Sequence, residues 1–129
     1  MFSRIAHITL FVSDVDEALS FYTNKLGFAK VVDKKLAPGI RWVAVAPSDG
    51  NETVIVFEKA SNKKEQEMIG KQLTNMLITI ETDDFDRTYQ AMKEKGVEFV
   101  EEPTKAPWGK QAVFRDLHGN LFDLLERRR

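Results

Sequence analysis

Ile5-Ala6-His7-Ile8-Thr9-Leu10-Phe11-Val12-Ser13-Asp14-Val15-Asp16-Glu17-Ala18 changes its periodicity part-way through. Residues 5–12 are β-branched and apolar, the composition of a strand. Ser13 and Asp14 are helix N-cap candidates, and Asp16 or Glu17 can close a capping box. Beyond them Val15, Ala18, Leu19, Tyr22 and Leu26 fall on one face of a helix. Gly27 is the expected stop, because glycine enters the left-handed C-cap conformation without steric penalty.

Working outward, three more strands are expected: residues 28–33, residues 40–46 after the Pro38-Gly39 turn, and residues 53–58 after Asp49-Gly50-Asn51. Residues 60–73 are polar and mixed in charge, a linker with room for a short helix. The pattern then recurs. Residues 76–82 read as a strand. Asp83 or Asp84 caps a helix with Phe85, Tyr89 and Met92 on one face, and Gly96 ends it. Strands follow at 97–101, 110–115 and 121–126. Val12-Ser13-Asp14-Val15-Asp16 and Thr82-Asp83-Asp84-Phe85-Asp86 are 70 residues apart; Gly50-Asn51 and Gly119-Asn120 are 69 apart. A period this long implies duplication of a compact unit. The expected fold is α+β: one domain over 1–129 made of module one (1–59), a linker (60–73) and module two (74–129). Each is a β-α-β-β-β unit whose sheet has one covered and one bare face. Paired, the two curved mixed sheets can enclose a shared cleft.

Composition narrows the function classes. A net charge of -1 gives no electrostatic footprint for nucleic acid. Zero cysteines exclude a disulfide scaffold, a zinc-thiolate centre and a cysteine nucleophile. No run of about 18 apolar residues offers a membrane span, and the first residues lack a signal core, so a cytoplasmic protein is expected. Arg127, Arg128 and Arg129 read as a solvated end.

The opening stretch, with Phe21-Tyr22 and Leu26-Gly27-Phe28, resembles the start of a vicinal-oxygen-chelate protein, the superfamily of glyoxalases, bleomycin-resistance proteins and extradiol dioxygenases. Phe114-Arg115-Asp116-Leu117-His118-Gly119-Asn120-Leu121-Phe122-Asp123-Leu124 resembles its closing motif, and Lys95-Gly96-Val97-Glu98-Phe99 with Glu102-Pro103 also fits. The resemblance spans essentially the whole chain. It implies four metal ligands, from the first and last strand of each half. His7 matches the first and Asp123, shorter than the usual Glu, the last. Leu77 stands at the third position, and the fourth falls among Val54 and Ile55, with Glu58 the nearest carboxylate. The resemblance therefore implies an incomplete site, with no cofactor or a weakly held divalent ion. It also implies a homodimer.

Alternation assigns the remaining candidates. His7, Thr9 and Phe11 share the face opposite Ile8, Leu10 and Val12, which pack under the helix. His7 is a candidate hydrogen-bonding group or general base, or a retained histidine with a polar neighbour. Leu77, Thr79 and Glu81 should face the cleft, Glu81 as base or ligand contact, or as a solvated strand end. Asp123, between Leu121 and Leu125 on that side, needs a partner if buried; His7 is the attractive one, a structural Arg or Lys the alternative. Trp42 and Trp108 are candidate walls for a planar ligand, or core; whether Trp42 or Arg41 points inward is open. His118 reads as an exposed turn residue, and Arg115 with Asp116 as a structural pair. Three functions follow: a divergent member that binds a small organic molecule in the cleft, a metal-dependent glyoxalase-type lyase or dioxygenase using His7 and Asp123, or a non-catalytic interaction domain.

Overall fold

The computed structural model describes residues 1–74 and 78–128. It divides into two compact units, Met1–Ile69 and Gly70–Arg129.

In the first unit β1 (His7–Val12) leads into helix α1 (Val15–Ser20). Asp14 is the N-cap, its carboxylate accepting from the Glu17 backbone N–H at 2.9 Å. The helix expected to run to Leu26 changes character after Ser20. Residues Phe21–Lys25 form a π-helical turn, closed by Leu26 N–H donating to the Phe21 carbonyl. Two features account for the widening. The Thr23 hydroxyl donates to the Leu19 carbonyl at 2.8 Å, competing with the regular ladder. Tyr22 is fully buried, its ring 5.4 Å from Phe28 and 5.0 Å from Phe57. Gly27 then turns the chain with φ +75°.

Strands β2 (Ala29–Ala37), β3 (Ile40–Ala46) and β4 (Val54–Lys59) complete a sheet of order β1-β4-β3-β2, with β1 parallel to β4 and the other pairs antiparallel. A short helix, α2 (Lys63–Met68), follows, capped by Asn62. Leu10, Val12, Ala18, Tyr22, Val43, Val45, Ile55 and Phe57 make the unit's core. On the opposite face the small residues Ala44, Ala46 and Val56 are also shut from water. Exposure there belongs to the larger side chains around these small ones.

The second unit repeats the plan. β5 (Ile78–Glu81), α3 (Phe85–Glu94), β6 (Glu98–Ala106), β7 (Gly109–Arg115) and β8 (Leu121–Arg127) give a sheet of order β5-β8-β7-β6. Asp84 caps α3 from the Arg87 N–H, and the Glu126 carboxylate accepts from the Phe85 N–H at 2.6 Å. Phe85, Met92, Phe114, Phe122 and Leu124 are buried, with Phe114 and Phe122 stacked at 5.3 Å. The fold is thus α+β with two four-stranded mixed sheets. The duplication extends to a pair of ion pairs no motif revealed. Arg41 on β3 reaches Asp16 in the first turn of α1 at 2.9 Å; Lys110 on β7 reaches Asp86 in the first turn of α3.

The turn before β8 is held by Asp116. This buried carboxylate accepts from the backbone N–H groups of His118 and Asn120 and from Asn120 Nδ2, each at 2.9 Å. Arg115 lies 3.6 Å from Glu98 on β6. His118, expected to be exposed, is half-buried, with a buried Nε2 that has no hydrogen-bond partner among the described residues.

Candidate functional site

In the first unit Arg41 settles which side of β3 faces where. Its guanidinium bridges Asp33 on β2, with Nε and Nη2 each 2.9 Å from a carboxylate oxygen, and Asp16 on α1. Those bonds hold the Asp33 carboxyl below the usual carboxylate range and raise the guanidinium further. Arg41 therefore lies on the helix side. Trp42 lies on the other side and meets His7: the rings are 5.2 Å apart and nearly perpendicular. Register puts Thr9 and Phe11 on the His7 face as well, opposite Val56 and Glu58. His7 sits at the exposed start of β1, while Thr9, Phe11 and Trp42 are half-buried.

In the second unit Thr79 on β5 stands opposite Asp123 on β8. The Thr79 hydroxyl donates to Asp123 Oδ2 over a long 3.4 Å. Oδ1 of the same carboxylate is buried and has no hydrogen-bond partner among the described residues. Leu121 and Leu125 flank Asp123 along β8, and Val113 faces it from β7. Burial of the carboxyl raises its pKa; the Thr79 hydrogen bond opposes the rise and the negative charge of Glu101 adds to it. Glu81 is exposed and bonds Arg127 at 3.1 Å. Trp108, more than half exposed at the β6–β7 turn, donates from its indole N–H to Gln111 at 2.8 Å. Leu77 lies outside the described residues. Glu101, Gln111 and Arg127 were not anticipated. Strand alternation carried Gln111 and Arg127 onto the Asp123 face, but a residue's face does not name its partner across strands.

Two open grooves lie elsewhere, bordered by Arg127 in one unit and Arg41 in the other. One, of about 610 Å³, is in the second unit near Asp83, Lys105 and Arg128. The other, of about 530 Å³, is at the matching place in the first unit, near Asp14, Ile40 and Lys59. Neither touches His7 or Asp123.

Register tests whether the donor set fits a metal. Asp123 is paired with Thr79, and Thr9, 70 residues earlier than Thr79, is paired with Val56. The internal counterpart of Asp123 is therefore Val56, not Val54 or Ile55. The reason is a two-residue difference in the loop: Ile55, which pairs with Ile8, lies four positions after Asn51, but Phe122, which pairs with Ile78, lies two positions after Asn120. Val56 offers no donor atom, and the sequence has leucine at position 77. His7 and Asp123 lack two of the four partners a family-type ion takes, so the residues do not fit that site. Among the described residues, no group of three or more His, Asp or Glu side chains is placed to hold an ion.

The family model of the Glyoxalase/Bleomycin resistance protein/Dioxygenase superfamily matches residues 4–124. The chain belongs to that superfamily. An uncharacterized protein of Shewanella frigidimarina (strain NCIMB 400) is 41% identical to this glyoxalase/bleomycin-resistance chain over 128 residues, covering 98% of it and 95% of the relative. Among solved structures of similar proteins, UcmS2 is 34% identical with a TM-score of 0.84, covering 98% and 99% of the two chains. TnmS3, an antibiotic binding protein from Streptomyces sp. CB03234, is 28% identical with a TM-score of 0.80, covering 98% of each. Both structures thus share the fold seen here. Among the described residues no helix is long and apolar enough to cross a membrane.

Proposed function

We propose that this chain binds a small, partly apolar organic molecule on the sheet faces carrying His7, Thr9, Phe11 and Trp42 in one unit and Thr79 and Asp123 in the other, without the full superfamily metal set. The observation that carries the reading is Asp123, a carboxylate with one oxygen shut from water and, among the described residues, without a hydrogen-bond partner. A buried acceptor without a partner costs about 1–3 kcal/mol. A ligand N–H or O–H placed there recovers that cost, which supports a polar anchor at the floor of an apolar wall. Trp42 and its edge contact with His7 supply a planar apolar surface, and His7 a second hydrogen-bonding group. Glu81 with Arg127, and Trp108 with Gln111, then contribute charge and aromatic area at the rim. Sequestration is the favoured role, since the similar TnmS3 is named for antibiotic binding. The same reading has the chain pair with a second copy of itself.

The test is a tryptophan-fluorescence titration with a panel of aromatic natural-product antibiotics, bleomycin among them. Saturable binding that Trp42→Ala and Asp123→Ala each weaken by tenfold or more supports the proposal, on the scale of one lost hydrogen bond to a charged group, about 1.5–3 kcal/mol. Binding untouched by both changes places the ligand elsewhere and refutes it.

A further inference from the structure

The two grooves occupy matching places in the duplicated plan, each beside the start of α1 or α3, the β2–β3 or β6–β7 turn, and the end of β4 or β8. Duplication makes one a control for the other. The first unit's groove sets Arg41 and Lys59 against Asp14, Asp16 and Glu58, a formal charge of -1. The second unit's sets Lys105, Lys110, Arg127 and Arg128 against Asp83 and Glu126, a formal charge of +2. The position is shared, so the excess of cations belongs to the second unit's own sequence.

Two of those cations are matched: Arg127 bonds Glu81, and Lys110 bonds Asp86. Lys105 and Arg128 are exposed and, among the described residues, take part in no ion pair. Register sets Lys105 directly across from Lys110 and Lys110 across from Glu126, on the face of β8 opposite to Asp123. The groove is therefore separate from the face proposed above for an organic molecule. Like charges directly opposite on adjacent strands repel. An anion beside them converts that repulsion into attraction. The backbone of Arg128 is pinned at the same end of the sheet. Its N–H donates to the Trp108 carbonyl at 2.8 Å, and Gly109 packs so closely on β8 that an added Cβ would lie 2.2 Å from the Glu126 carbonyl oxygen. The start of α3 adds little, since Glu126 and Asp84 already accept from the Phe85 and Arg87 N–H groups. An ammonium and a guanidinium together match one doubly charged, oxygen-rich group, and the guanidinium fork suits phosphate.

We propose that the second unit's groove binds a phosphate dianion, free or carried as a monoester on a small organic molecule, through Lys105 and Arg128.

The experiment is an amide chemical-shift titration of the isotopically labelled full chain in a low-salt, phosphate-free, mildly alkaline buffer. Inorganic phosphate is the probe in one arm and phenyl phosphate in the other. Saturable shifts at Lys105, Ala106, Gly109 and Arg128 are expected, with Asp14, Ile40 and Lys59 unmoved. Tighter binding of phenyl phosphate assigns the site to an organic monoester; equal or weaker binding assigns it to free phosphate. Sodium chloride at matched ionic strength should not reproduce the shifts. The double change Lys105→Gln with Arg128→Gln should weaken binding about tenfold or more, while amides beyond the groove keep their wild-type positions. Shifts that do not saturate, that appear equally in the first unit's groove, that sodium chloride reproduces, or that the double variant leaves intact overturn the proposal. The wild-type arms decide it by themselves if the variant fails to fold.

Discussion

Replacing Asp123 with asparagine should make the protein more stable at neutral pH, although the change is polar and lies on the proposed binding face. Asp123 has one oxygen that is buried and, among the described residues, unbonded, and its ionised form is disfavoured by burial and by Glu101. An orphaned buried polar atom costs about 1–3 kcal/mol. The low end applies, because the side chain is only half-buried and solvent screens it. The Asp123→Asn side chain keeps the shape and a bond to Thr79 and leaves the same buried atom without a partner, but it carries no charge, so the gain is the part of that cost due to the charge, about 1 kcal/mol or less, or up to about 4 °C in Tm for a chain of this length. The pH dependence has a definite sign. The native carboxyl holds its proton more tightly than the unfolded one, so wild-type stability falls as pH rises from the ordinary aspartate value, about 3.9, through the raised native pKa. The asparagine variant lacks that slope. The two proteins should therefore be equally stable below the window and diverge above it. Urea denaturation at several pH values measures this. A variant less stable than wild type at pH 7, or a difference that does not change with pH, would refute the reasoning.

Other perturbations have equally definite outcomes. Phe122→Ala removes a fully buried ring stacked on Phe114 and should cost about 3–5 kcal/mol in chemical denaturation. Gly70→Ala should destabilise and lower Tm: φ is +74°, and the added carbon would lie 2.0 Å from the His118 carbonyl oxygen. Arg41→Met should return the Asp33 carboxyl toward the usual range in an NMR titration. Asp33 contributes stability above its unfolded pKa that is lost as pH falls through the lowered native one, so the variant should also lose less stability on acidification than wild type does. Metal analysis after growth with added nickel, zinc, manganese and iron should find less than one ion per chain. A stoichiometric ion lost in His7→Ala would restore the glyoxalase-type reading.

Local chemistry made much of the fold legible. Asp14 and Asp84 cap helices because a short carboxylate reaches the free N–H groups of the first turn, and Gly27 and Gly96 end them at positive φ. Alternation put Leu10 and Val12 in the core and His7 on the far face. It could not choose between Arg41 and Trp42, since neighbours on a strand always point oppositely; Asp16, distant in sequence, makes that choice. The counterpart of Asp123 was misplaced because a two-residue loop difference leaves no mark on periodicity. The π-helical turn arises from a hydroxyl and a buried tyrosine competing with the regular ladder, and helical spacing does not register it. For the site, sequence brought Thr79 and Asp123 to one face but not to each other. Their contact depends on parallel pairing of β5 with β8, which is non-local.

The most direct measurement is an amide chemical-shift map of the isotopically labelled chain titrated with an antibiotic that the fluorescence panel shows to bind. The proposed site predicts the largest shifts on β1 and β3 around His7 and Trp42 and on β5 and β8 around Thr79 and Asp123. Shifts confined to the helix faces, or to the grooves near Asp14 and Asp83, would contradict it.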